Sequence, residues 1–196
     1  MFMNFVQKRD MLLPIAKFGA PILRHRGIPV DLEDPGLQNL IENMWETMYH
    51  VNGCGLAAPQ VNKSIRLFVV DSMPTYMQME DAERNIVFDG DQGIKEVFIN
   101  PVITSRSERI WWDEEGCLSI PGITLRISRS WSVSIRYFDD QLHERTRTFL
   151  GITARMIQHE YDHIEGKLFL DYLDAGRRLL LKNRFDRINR DDASGS

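Results

Sequence analysis

The chain has 196 residues and a formal net charge of −4. That length suits one domain, and the charge argues against binding nucleic acid through the whole surface while leaving room for a local basic patch. With 43% hydrophobic and 27% charged residues it sits near the soluble globular average, which sets aside disordered, collagen-like and membrane-embedded classes. Two cysteines, Cys54 and Cys117, are too few to staple a domain of this size and suit a reducing compartment. The N-terminus lacks the uninterrupted apolar stretch of a signal peptide, and no run approaches the roughly 20 apolar residues of a membrane span. A cytoplasmic protein is the expectation.

In chain order, residues 1–30 read as irregular, with Pro14, Pro21 and Pro29 punctuating short apolar pieces. Asp34-Pro35-Gly36 opens a helix on which Leu37, Leu40, Ile41, Met44, Trp45 and Met48 recur at helical spacing, and Asn52-Gly53 closes it. Residues 65–71 form a strand, rich in branched and aromatic side chains, and 97–103 another. The polar stretch 72–94 between them reads as a surface excursion. Further strands are expected at 109–112, 124–127 and 131–138, the last alternating Trp131, Val133, Ile135 and Tyr137 on one face. A helix follows over 149–165, bounded by Gly166, and a last one over about 175–188 before the polar tail 191–196. Helices at the ends and strands between them predict an α+β fold: mainly antiparallel sheets around a central helix, with a further C-terminal helix, in one domain spanning 1–196.

That central helix carries His159-Glu160-Tyr161-Asp162-His163. His-Glu-x-x-His on a helix sets two imidazoles one turn apart on one face, where they chelate, and the adjacent carboxylate can move protons for a hydrolytic reaction. Zinc, iron, nickel and cobalt all suit such a pair. The bland alternative is two ordinary histidines on a polar helix.

A catalytic site needs a third protein ligand. Downstream, Phe169 stands where the extended protease motif has its last histidine, and no glutamate follows Glu165, so the ligand lies upstream. Cys54, Cys117, His25, His50 and His143 are the candidates. Cys117 is the best of them, because it sits in a Gly-bounded segment between strands where a thiolate can project and the neighbouring N–H groups can face a ligand. Without the histidines, a buried free thiol would be the better reading of Cys117.

Residues 53–60, Gly-Cys-Gly-Leu-Ala-Ala-Pro-Gln, superficially match a dinucleotide fingerprint, but a helix precedes them and Pro59 interrupts, which is the wrong context. Small residues there instead let a peptide backbone approach, and Gln60 offers a neutral amide donor for an oxyanion.

Taken together, Gly53 to Gln60, Glu115 to Ser119 (Glu-Gly-Cys-Leu-Ser) and His159 to His163 resemble, in content and order, the three motifs of the peptide deformylases. The resemblance runs from about residue 12 to the final helix. It implies metal ligation by Cys117, His159 and His163, proton transfer by Glu160, and oxyanion donors in the Gln60 side chain and the Leu118 N–H. It further implies a substrate surface from Gly53, Cys54, Gly55, Leu56 and Gly116, an apolar pocket with Met156 and Ile157, and a supporting Glu115–Arg129 ion pair. The implied reaction removes the formyl group from the initiator methionine of new polypeptides and releases formate, with one divalent ion per chain. The resemblance favours ferrous iron, and zinc, nickel or cobalt fit the same donors.

The expected partners are an N-formyl-Met peptide or nascent chain, with neither DNA nor a membrane. Arg177, Arg178, Lys182, Arg184, Arg187 and Arg190 on the last helix fit docking to the ribosome, though a solvated face accounts for them equally well. Residues 1–10 precede the similarity as an extension, and Arg155 occupies a helix position where an apolar side chain is expected. The alternatives are a small metallopeptidase, and a non-catalytic protein that binds peptide N-termini.

Overall fold

The computed structural model describes residues 11–181. The N-terminal extension and the polar tail expected from the sequence, with Lys182, Arg184, Arg187 and Arg190 of the last helix, lie outside those residues.

The fold is α+β. A five-stranded antiparallel sheet has the order β1 (Gly55–Ala57), β2 (Leu67–Asp71), β3 (Lys95–Arg106), β6 (Ser132–Phe138), β7 (Glu144–Leu150). β4 (Ile110–Cys117) and β5 (Ile120–Ser130) form a separate two-stranded hairpin. β2 is apolar over four residues because both its faces are covered. Leu67 and Val69 pack with Ile41, Met44 and Met48 of α1 (Leu37–His50). Phe68 and Val70 join Phe98, Val133, Ile135, Tyr137 and Phe149 under α4 (Gly151–Ile164). Each such side chain contributes roughly 1.5–3 kcal/mol by leaving water.

α4 is the helix carrying His-Glu-x-x-His. Eleven of its fourteen residues are buried, so its polar groups must find partners inside the protein. Gln158 does so by pairing with both the N–H and the carbonyl of Ser130 on β5. The hairpin's inner residues Ile120, Ile123 and Ile127 pack on Leu168, Phe169, Leu170 and Leu173, which follow α4.

Three local expectations need correction. β7 was not anticipated: it is an edge strand in which only Phe149 is buried, so it carries almost no apolar alternation. The helix expected from residue 149 begins at Gly151, whose φ of +52° breaks the strand, and where a side chain would collide with the Val87 carbonyl. The 72–94 excursion contains two short helices, α2 (Met73–Gln78) and α3 (Asp81–Val87), anchored by Ser72, which bonds Thr153 of α4 through its hydroxyl. At the other end of the fold, residues 175–181 are helical. Among the described residues, no helix is long and apolar enough to cross a membrane.

Candidate active site and metal centre

Three elements meet at one cleft. α4 presents His159 and His163 one turn apart, with ring centroids 5.1 Å apart and planes at 74°. The hairpin presents Cys117, the last residue of β4, just before its Leu118-Ser119 turn. The β4–β5 register shifts between Glu115 and Cys117, an irregularity of the kind that re-aims side chains, and both of them reach α4. Cys117 Sγ lies 3.2 Å from His163 Nε2. Glu115 Oε2 lies 3.1 Å from His159 Nδ1.

The donor atoms of Cys117, His159 and His163 all fall within 4.8 Å of one another, and no other such His/Cys/Asp/Glu group exists among the described residues. His25, His50, His143 and Cys54 are therefore not in the cluster; Cys54 is exposed and lines the cleft.

The electrostatics suit a cation. Burial works to raise the Glu115 carboxyl, but Arg129 and His159 outweigh it and hold the group well below the usual carboxylate range. Glu115 stays ionised and accepts from His159 Nδ1. Burial works to lower the His159 imidazole, but its hydrogen bonds to Cys117 and Glu115 outweigh it and raise the group well above its ordinary value, so without an ion Nε2 keeps a proton that a cation would displace. Burial, with His159 beside it, keeps His163 neutral. Glu160 Oε2 is buried with no hydrogen-bond partner among the described residues. Burial pushes its carboxyl up to about 7, and a neighbouring cation would draw it down. One thiol and two imidazoles converging beside a carboxyl oxygen that has no partner among the described residues fit a divalent ion with a coordination position left open.

Gln60 faces the same point. Its Oε1 accepts from the Ala57 N–H at 2.8 Å, which turns Nε2 toward Cys117 Sγ at 3.6 Å and Ser119 Oγ at 3.3 Å. The chain ahead of α1 buttresses both loops: Ala16 N–H donates to the Gln60 carbonyl, Phe18 N–H to the Ser119 carbonyl, and Lys17 Nζ to the Leu118 carbonyl. Gly55 lies against Glu160, and a Cβ there would sit 2.8 Å from both Cγ and Cδ of that side chain.

The cleft has a volume of about 380 Å³ and is lined by Gly53, Cys54, Gly55, Gln60, Glu115, Gly116, Cys117, Leu118, Met156, His159 and Glu160, with Ile152, Asp113, Glu114 and Arg155 in addition. The side chains of two residues expected at the substrate surface do not line the cleft. The Leu56 side chain is wholly buried with α1, and Ile157 is wholly buried against the sheet, because each sits on the core-facing side of its element.

Arg129 forks onto Glu115 with Nε and Nη2 at 2.9 and 2.8 Å, and its Nη1 bonds Asp162 and Tyr172. Sequence reasoning passed over Asp162, Tyr172, Ser119 and Lys17. Asp162 and Ser119 had a signal, each lying inside one of the motifs; Tyr172 and Lys17 had none.

A Cys–His–His donor set beside a buried carboxyl, on an α+β scaffold, defines a metal-dependent hydrolase. A family profile described as "Polypeptide deformylase" matches residues 12–178. The chain is 40% identical over 182 residues to the peptide deformylase of Christiangramia forsetii, covering 92% of this chain and 91% of that one. Its fold is similar to the crystal structure of peptide deformylase from Ehrlichia chaffeensis, with a TM-score of 0.80 at 30% identity over 93% of this chain and 99% of that one. It is also similar to a Met-Ala-Ser-bound peptide deformylase from Acinetobacter baumannii, with a TM-score of 0.71 at 31% identity over 84% and 99%. The chain belongs to the peptide deformylase family, hydrolases that remove the N-formyl group from newly made polypeptides.

Proposed function

We propose that this chain carries out that reaction with Cys117, His159 and His163 holding one divalent metal ion and Glu160 moving the protons. The observation that carries the reading is the convergence of the three donor atoms within 4.8 Å beside the unpartnered Glu160 carboxyl oxygen. Bound there, the ion supplies Lewis acidity that activates water near neutral pH and polarises a carbonyl.

The chain's own residues do the rest. Glu160 takes a proton as water attacks the formyl carbon and returns it to the amine nitrogen as the C–N bond breaks, leaving formate and a free N-terminus. Gln60 Nε2 and the Leu118 N–H donate to the oxygen on which negative charge develops. β1 is the edge of its sheet, so the backbone at Gly53–Gly55 can pair with an extended peptide. Met156 and Ile152 give the methionine side chain an apolar wall.

Ferrous iron is the ion we favour, since a thiolate with two imidazoles suits borderline metals and the resemblance points to iron. A cytoplasmic site of action and docking to the ribosome through the last helix belong to the same reading. Arg177 and Arg178 are its exposed basic groups among the described residues.

The test is the product mixture from formyl-Met-Ala-Ser. Formate and Met-Ala-Ser are expected. Formyl-Met with Ala-Ser would make the chain a metallopeptidase, and saturable binding without turnover would make it a binder.

A further inference from the structure

The β4–β5 hairpin that carries Cys117 is a sheet of its own, so no ladder hydrogen bond fixes it to the rest of the fold. Isolated hairpins are marginal in water, and its placement against α4 depends on side chains. One side chain of α4 grips both of its strands. Arg155 is only 4% exposed. Its Nη2 donates to the Trp111 carbonyl on β4 at 3.0 Å and to the Ile127 carbonyl on β5 at 3.1 Å. Its Nη1 donates to the Ile127 carbonyl at 3.1 Å and to Glu115 Oε1. The guanidinium also lies 4.4 Å from the Trp111 ring centroid. Each of the other polar ties from α4 meets one strand: Gln158 pairs with Ser130 and Asp162 with Arg129 on β5, and His159 bonds Glu115 on β4.

We infer that Arg155 is a positioning residue that clamps the Cys117 hairpin to the histidine helix and so sets where the thiolate meets His159 and His163. A planar fork with several donors can hold two carbonyls and a carboxylate at once; an ammonium cannot. Arg155 also fixes the Glu115 carboxylate from the side opposite His159. Oε1 takes Arg155 and Arg129, and Oε2 takes Arg129 and His159, so the carboxylate cannot turn away from the imidazole. This rests on the reading that Cys117, His159 and His163 hold the metal.

The test is a cobalt(II) titration of the full-length chain against a competing chelator. It follows the thiolate-to-cobalt absorption band, with far-UV circular dichroism of the metal-free protein as the folding control. Arg155→Met should fold yet bind cobalt about 10–100-fold more weakly, the usual cost of losing an outer-sphere support, with a shifted or weakened thiolate band. Arg155→Lys keeps the charge without the fork and should show a smaller loss in the same direction; it decides the matter if Arg155→Met does not fold. Cobalt affinity within about twofold of wild type and an unchanged band in a folded variant would overturn the inference. Cys117→Ala separates the two readings. If it binds cobalt like wild type, the metal assignment fails. If it loses cobalt while the Arg155 variants bind normally, only the clamp fails.

Discussion

Gly55 and Glu160 touch: the glycine's missing Cβ is the space that the glutamate side chain occupies, 2.8 Å from Cγ and from Cδ. No backbone constraint demands glycine there, so the residue is explained by the carboxyl beside it. Gly55→Ala should push Glu160 out of line and lower kcat/KM for a formyl-Met peptide by about 100-fold, the scale of a misplacement near 1 Å. Metal content should not change. Steady-state formate release with elemental analysis checks this; a variant of wild-type activity would mean that Glu160 has room to spare.

Gln60→Glu keeps an oxygen for the Ala57 N–H but removes the Nε2 donor. A fall in kcat of about 100–1,000-fold is expected, the scale of losing one oxyanion donor. If KM rises with kcat unaltered, Gln60 binds substrate and does not stabilise developing charge.

Arg129 is 4% exposed and holds Glu115 and Asp162 together, so its removal leaves the buried Asp162 with the Tyr172 hydroxyl in place of a cation and takes one of two arginines from the buried Glu115. Arg129→Met should destabilise the metal-free protein by about 3–5 kcal/mol. Urea denaturation measures it, and a loss under 1 kcal/mol would show that the carboxylates find other partners.

Away from the site, burial works to raise the Asp139 carboxyl, but the Arg145 side chain and the N–H groups of His143 and Gln141 outweigh it and lower the group below its ordinary value. Folding favours the carboxylate. Its stabilisation is therefore full above the ordinary aspartate pKa of about 3.9 and fades as pH falls through the lower folded value. The gap in urea midpoint between wild type and Asp139→Asn should be constant from neutral pH to about 5 and close toward pH 3. A gap independent of pH would mean that the charge contributes nothing.

Legibility followed range in sequence. His159, Glu160 and His163 were readable because one helical turn brings them together. Cys117 was reached by eliminating downstream ligands and by its place between strands. The alternation through Trp131, Val133, Ile135 and Tyr137 gave β6 because one face is wholly covered. β7 escaped because an exposed edge strand needs no apolar period. The Leu56 and Ile157 side chains face the core, because nearness in sequence to Gly55 and Met156 does not fix which way a side chain points. Arg155 looked out of place on a core helix, since its partners Trp111, Glu115 and Ile127 lie 28 to 44 residues away.

The most direct measurement is formate released per bound metal ion by Glu160→Ala, compared with wild type, both prepared anaerobically and assayed on formyl-Met-Ala-Ser. The account predicts wild-type metal content with turnover reduced by at least about 100-fold, as expected for a lost general acid–base group. Undiminished turnover per metal ion would remove Glu160 from the chemistry and contradict the account.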